Sequence, residues 1–383
     1  MTFPIGAGVS LAELAEDPHP ALGRLRGAEP VSWLPALHGW LVTRFDLAKR
    51  VMTDAATFTV DDPRFSTKRV VGPSMLSTDG AEHARHREPF VPPFRPAQVR
   101  ERFTALVDAE VARLVERMDP AGAELRSEFA GPLAVAVVAD ALGLDGFDEP
   151  AEAAEATAVL SWYAAIVDSV SEVTAGAAPT AAGAAAVAEL AATVSRPRPG
   201  SLLADAAGGL TEPEVVSNAA VLMFGGIDTT EGMITNLVLH LLSRKETLDA
   251  VRADPTLLAN AIEESIRLEP AAAVLDRYAT RDVSLGGATI ARGDLVTVSI
   301  AGANRDPAVF ADPDTFDVHR PNARASLAFA KGPHFCIGAR LARMETDIAV
   351  RALLELPGLR LTRPAAPRGL VFRKPAALHV AWD

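Results

Sequence analysis

Apolar residues recur at helical spacing along most of this chain and fall into β-like runs in only two short regions. Trp40, Leu41, Val42 and Thr43 read as a strand that leads into a helical pattern around Asp46 to Met52. Thr53 to Ser77, with its Pro and Asp residues, reads as a long irregular loop. The spacing predicts a helix from Ala97 to Met118, a break at Pro120 and Gly122, and a buried helix in the apolar block Pro132 to Leu144. Ala151 to Val194 is alanine-rich, which favours helix whatever its use, and Gly176, Pro179 and Gly183 divide it into two helices with a short connection. Pro197 to Gly200 reads as a linker. Thr211 is an N-cap, with Glu214 as its capping-box partner and Pro213 in the first turn, so a long apolar helix should run to about Ser243. From Val283 to Ile300 the pattern turns to short β runs with hairpin signals at Gly286-Gly287 and Gly293-Asp294, and helix returns after Cys336. No repeat at a fixed period and no shift in composition marks a domain boundary.

Charge and cysteine count narrow the function. The 383 residues include 37 Lys+Arg against 49 Asp+Glu, a net charge of -12, which is the wrong sign for tracking a phosphate backbone; nucleic acid is not an expected partner. One cysteine excludes an internal disulfide and any multi-thiolate metal site. Met1 to Leu25 has neither a basic start nor a continuous apolar stretch, and the longest apolar runs, Pro132 to Leu144 and Ala219 to Ile227, fall short of the roughly 20 residues that span a bilayer. No membrane partner and a cytoplasmic location are expected.

Four constellations carry candidate chemistry. The thiol lies in Phe329-Ala330-Lys331-Gly332-Pro333-His334-Phe335-Cys336-Ile337-Gly338, just before a predicted helix. Backbone N–H groups and the positive end of the helix dipole there both favour a thiolate, and Gly332 and Gly338 let backbone pass close to a flat ligand. Alone, a single cysteine reads as a small buried hydrophobe. Glu264 and Arg267, three apart on one helical face, read alone as a solvated pair. Gly225-Gly226-Ile227-Asp228-Thr229-Thr230 sits mid-helix, where each glycine costs about 1 kcal/mol and therefore calls for a reason: a local groove opened by a threonine hydroxyl, or close helix packing. His83 and Arg87, four apart on one face, suit carboxylates, although the cluster also reads as surface charge.

Together these motifs resemble the cytochrome P-450 family. The cysteine segment fits every fixed position of Phe-x-x-Gly-x-His-x-Cys-x-Gly, and departs from usage only at Ala330, where the family usually has glycine. Coverage extends in order from about Trp40 to the C-terminus, including Ala303-Asn304-Arg305-Asp306-Pro307. The resemblance implies a mainly α fold with a small β portion, one domain over residues 1–383, with haem b between the long central helix and the cysteine loop. It makes Cys336 the axial iron ligand, with Phe329 and Gly338 beside it. It places His83, Arg87, Arg277 and His334 on the haem propionates, Glu264, Arg267 and Arg320 in a buried charge network, and Asp228 and Thr229 over the iron as the proton-delivering pair. Glu231 follows where the family commonly has a small or apolar residue, and its role is open.

The implied activity is that of an oxidoreductase, a monooxygenase that inserts one atom of dioxygen into an apolar small molecule by hydroxylation or epoxidation. Substrate contacts are expected at Leu222, Gly225, Gly226, Ala272, Val274 and Phe372, and near Trp162 and Tyr163. A Gly-x-Gly-x-x-Gly fingerprint after a strand is absent, so electrons are expected from a separate ferredoxin or flavodoxin with an NAD(P)H-dependent reductase. Arg85, Lys331, Arg340 and Arg343 are its expected contacts. A peroxide-driven oxygenase, a non-catalytic haem sensor or carrier, and a cofactor-free helical binding protein are the competing readings.

Overall fold

The computed structural model describes residues 2–144, 153–174, 176–194, 198, 200–206 and 208–383, without the side chains of 153–158 and 205. Helix accounts for 57% and strand for 11%, in line with the mainly α expectation. The chain groups into two units, one of Met1–Thr59, Val111–Ala130 and Thr229–Asp383, the other of Val60–Glu110 and Gly131–Asp228.

The first unit holds every strand among the described residues: β1 (Val31–Leu34), β2 (Gly39–Val42), β3 (Phe58–Thr59), β4 (Ala123–Glu124), β5 (Val274–Ala279), β6 (Val283–Leu285), β7 (Ala288–Ile290), β8 (Leu295–Ser299), β9 (Arg360–Leu361), β10 (Pro367–Arg368), β11 (Lys374–Pro375) and β12 (His379–Ala381). Five of them form a sheet in the order β1-β2-β8-β5-β3. β8 runs parallel to β2, with Val296 opposite Trp40, and antiparallel to β5, with Val296 opposite Arg277. Beneath the sheet lies a core of Val42, Phe58, Val298 and Ile300 that also takes in Met52, Leu327 and Ala330. Full burial of a phenylalanine such as Phe58 contributes about 1.5–3 kcal/mol. The same core therefore stabilises the sheet and the approach to Cys336.

Two loop expectations are corrected here. Gly286 and Gly287, both at positive φ (55° and 85°), turn the β6–β7 hairpin as expected, but Gly293-Asp294 does not make a second one. β8 is buried at four of its five positions and takes neighbours on both sides, β2 and β5, rather than pairing back on β7. The Thr53–Ser77 segment is not wholly irregular, since it contains β3 and a helix at Ser66–Val71. Both pieces are too short to show a period.

The second unit is helical. It contains Gly80–Arg87, Gly131–Leu142, Ala153–Thr174 and Ala181–Val194, with most of Pro96–Arg117 and the first half of the 31-residue helix Glu212–Leu242. The alanine-rich pair packs closely: a Cβ on Gly183 would lie 2.4 Å from Ser169 Cβ. Residues 151 and 152 and part of the expected linker from Pro197 to Gly200 lie outside the described residues. The long helix starts as expected, with the Thr211 N–H donating to Glu214 Oε2 at 2.9 Å. No described helix is long and apolar enough to cross a membrane.

Buried charge ties the N-terminal helices of the first unit to its C-terminal segment. Glu269, 5% exposed, meets His19 at 2.9 Å and Arg373 at 2.6 Å. Burial opposes its ionisation, but the hydrogen bond and charge of His19, with Arg373 and Arg305, outweigh that and bring its pKa from the ordinary 4.5 down to about 2. A carboxylate depressed by folding contributes stability above its unfolded pKa and loses it as pH falls through the folded value. The thermal midpoint is thus expected to drop as pH is lowered from 4.5 toward about 2, and Glu269→Gln to flatten that slope. Unfolding scans at a series of pH values check this, and an unchanged slope in the variant contradicts it.

Candidate functional site

Cys336 is half-buried at the end of a loop shaped by backbone conformation. Its N–H donates to the Phe329 carbonyl at 2.9 Å, which closes the loop, and its own carbonyl accepts from Ala339 N at 3.5 Å, where the helix Ala339–Leu354 begins. Gly332 is at φ 76°, and a Cβ there would lie 2.8 Å from Met52 O, so this turn requires glycine. Gly338 differs, since a Cβ there would meet nothing within 4 Å. Ala330 is at φ 59°, the left-handed region.

That conformation gives the departure at Ala330 a physical meaning. An L-residue in the left-handed region costs about 1–2 kcal/mol, part of which glycine returns through its freer unfolded chain. Ala330→Gly is expected to raise stability by about 0.5–1 kcal/mol, read as a higher denaturant midpoint at unchanged slope. A lower midpoint contradicts the strain.

Charged side chains brace the loop. The Arg343 guanidinium lies 4.2 Å from the Phe329 ring centre and donates to Glu263 at 2.7 and 3.1 Å. Deeper in the unit, Glu264 and Arg267 are fully buried and Arg320 is 5% exposed. Arg267 forks onto Glu264 at 2.6 and 2.8 Å, and Arg320 Nε donates to both carboxylate oxygens at 2.9 and 3.0 Å. The remaining guanidinium donors go to carbonyls, including Arg267 to Asn304 O at 2.9 Å, while Asn304 Oδ1 accepts from Leu327 N at 2.7 Å. The network is thereby joined to the chain that enters the cysteine loop. Its three members, separated by up to 56 residues, are brought together.

The expected propionate donors divide between the units. Arg277, 4% exposed, is on β5, and His334 is in the 3-10 turn Gly332–His334. Beside Arg277, the Asp276 carboxyl accepts from the Thr297 hydroxyl at 2.6 Å, and burial raises its pKa. His83 and Arg87 share one helix of the second unit, His83 buried and Arg87 half-buried.

Two of the expected redox-partner contacts carry acids of their own. Arg85 spends its donors on Glu214 and Glu82, as Arg343 does on Glu263. Glu82, His86 and Glu214 converge closely enough to ligate a cation, but the positive group among them is the Arg85 guanidinium.

The helix Glu212–Leu242 is continuous through Gly225-Gly226. The two glycines differ. Gly225 is exposed and a Cβ there would meet nothing within 4 Å, whereas a Cβ on Gly226 would lie 2.6 Å from Val138 Cγ2. Close helix packing against Val138 gives Gly226 its structural reason. Leu222 is half-buried on this helix. Asp228 accepts from the Tyr163 hydroxyl, a contact the sequence did not signal, since Tyr163 was expected only to line a pocket. Thr229 is half-buried at the next position.

Ala272, Val274 and Phe372 do come together in the first unit. Ala272 bridges Phe372, flanked by Ala273 N to Val371 O at 2.8 Å and Arg373 N to Ala271 O at 2.9 Å, and Val274 opens β5. Glu231 is buried and pairs with Arg126 and Lys374. The sequence marks Glu231 only as an acid where the family commonly has a small or apolar residue; its partners, one of them 105 residues away, leave no local signal.

Comparison with known proteins follows the same lines. The family described as Cytochrome P450 matches residues 201–356. The chain is 34% identical to Cytochrome P450 107B1 of Saccharopolyspora erythraea, over 94% of this chain and 92% of that protein. It is 33% identical to nocardicin C N-oxygenase of Nocardia uniformis, over 100% and 98%. The crystal structure of CalO2 superimposes with a TM-score of 0.86 at 30% identity, covering 97% of both chains. With a third of its residues shared along nearly its whole length with these proteins, and the same fold, the chain belongs to the cytochrome P450 family of monooxygenases.

Proposed function

We propose that this P450 inserts one oxygen atom of dioxygen into an apolar small molecule, by hydroxylation or epoxidation, with Cys336 as the residue that would hold the haem iron and electrons from a separate ferredoxin or flavodoxin and its NAD(P)H-dependent reductase. Family membership implies haem. The residues fit it: the sole thiol stands at a helix start, and the glycine two residues on leaves its Cβ position open. When bound, haem supplies the oxidising chemistry, to which a thiolate ligand is suited.

The chain's own groups orient and protonate. The Phe329 carbonyl fixes the Cys336 backbone, and Arg343 holds the Phe329 ring. Arg277, His334, His83 and Arg87 are assigned to the propionates. Asp228 and Thr229 are assigned to proton delivery at the carboxylate and hydroxyl oxygens, with Tyr163 orienting Asp228 through its hydroxyl. The single-domain reading over residues 1–383 belongs to this proposal, since the matching motifs run in order along nearly the whole chain.

The observation that carries the reading is the cysteine loop, set by Gly332 and tied to the buried Glu264 network through Asn304 and Leu327. Relatives' names support the substrate class, among them "Mycinamicin IV hydroxylase/epoxidase" of Micromonospora griseorubida, 34% identical over 94% of this chain. The test starts from an apolar compound that shifts the haem spin state. Turnover of that compound with a surrogate ferredoxin, reductase and NADPH is expected to exceed turnover with peroxide by at least about tenfold. Full rates with peroxide alone contradict the proposal and favour the peroxide-driven reading, while absence of turnover under both regimes favours the sensor.

A further inference from the structure

Glu231 is 7% exposed on the long helix, two residues past Thr229. Its carboxylate accepts from Arg126 Nε and lies 2.9 Å from Lys374 Nζ, whose side chain is 10% exposed. Arg126 also donates to Ala376 O at 2.9 Å. Two cations from distant segments thus converge on one acid. The contacts continue along the same helix: a Cβ on Gly232 would lie 2.9 Å from Ala271 Cβ and 3.6 Å from Lys374 Cβ, and Asn236 Nδ2 donates to Arg373 O at 3.0 Å and Glu269 O at 3.3 Å. All of them fall on the segments either side of Ala272 and Phe372, which are bridged to each other.

A buried ion pair adds little stability over apolar packing, because desolvation offsets the attraction. Its strength is directional, since charged hydrogen bonds hold donor and acceptor in one geometry. We propose that Glu231 is a specificity-positioning residue: with Arg126 and Lys374 it locks the C-terminal turn carrying Phe372 onto the helix that carries Thr229, and so sets which apolar ligand the turn admits. This rests on the reading of Ala272 and Phe372 as substrate contacts. Glycine at 232 and the short reach of Asn236 leave the helix and the turn at backbone contact, so a small change in the clamp is passed to Phe372 directly.

The test uses the full-length haem-loaded protein with two iron-binding probes of different shape, 1-phenylimidazole and 4-phenylimidazole, and hydrogen exchange over residues 371–376. In Glu231→Gln and in Lys374→Met, exchange of the turn is expected to quicken by about tenfold, and the ratio of the two probes' dissociation constants to change by at least about fivefold. The carbon-monoxide spectrum should be unchanged. Because the groups act as one clamp, the double variant should shift the ratio no further than the larger single. Glu231→Asp keeps the charge and should recover part of the shift; it also serves as the reading should the glutamine variant fold poorly. A ratio within about twofold of the parent in these variants overturns the proposal, leaving Glu231 a structural ion pair. Phe372→Ala separates the two layers. A shift there without one in Glu231→Gln removes the clamp's role, and no shift in Phe372→Ala removes Phe372 from the substrate contacts.

Discussion

Glu264→Ala is expected to leave little folded, haem-loaded protein. Its carboxylate is 0% exposed and is the only acid paired with Arg267, also 0% exposed, and Arg320, 5% exposed, among the described residues. Removing it leaves two guanidinium groups in the interior with carbonyls as their hydrogen-bond acceptors and no carboxylate to balance their charge. Breaking a buried pair by deleting one partner costs about 3–5 kcal/mol, against a total stability of about 5–15 kcal/mol for a folded domain. The damage should spread to the cysteine loop, since Arg267 also holds the Asn304 carbonyl and Asn304 holds Leu327. A surface pair gives the control. Lys245, 84% exposed, meets Asp249 at 2.5 Å, and Lys245→Ala should cost less than about 0.5 kcal/mol. Soluble yield, haem content and thermal midpoint of the two variants check the contrast, and a Glu264→Ala protein within about 1 kcal/mol of the parent contradicts it.

Cys336→Ser is expected to lose the thiolate spectrum and to reduce turnover to background while keeping the fold. The hydrogen bonds that shape the loop use the backbone N–H and carbonyl of residue 336, and the core beneath it is made by Leu327, Ala330 and Met52. None of these needs the sulfur. A hydroxyl is a harder and much less electron-donating ligand, so the helical circular dichroism should persist as the activity disappears. Retained turnover in the serine variant would place the chemistry elsewhere.

Much of the fold and of the candidate site is legible in the amino-acid sequence, for identifiable reasons. Long helices such as Glu212–Leu242 announce themselves through period and capping, and the cysteine segment through a dense, fixed spacing of chemically distinct residues. Glu264 and Arg267 are readable as a pair because helical spacing is local, but Arg320 comes only from resemblance. What stays hidden is long-range or very short. β3 has two residues and takes its place only by pairing with β5; the partner of β8 is decided by burial on both sides rather than by its turn. The tie of Tyr163 to Asp228, and of Arg126 and Lys374 to Glu231, join residues whose types suggest nothing about each other in sequence. Arg343, and Arg85 toward Glu214, look like surface charge for the same reason, since those acids are distant in the chain.

The most direct test of the central claim is the absorbance of the reduced protein under carbon monoxide. A thiolate from Cys336 on haem iron predicts the red-shifted Soret band of that ligation, lost in Cys336→Ser. A reduced carbon-monoxide complex of the unaltered protein with the unshifted band of an imidazole-ligated or neutral-thiol haem would contradict the assignment of Cys336 and the mechanism built on it.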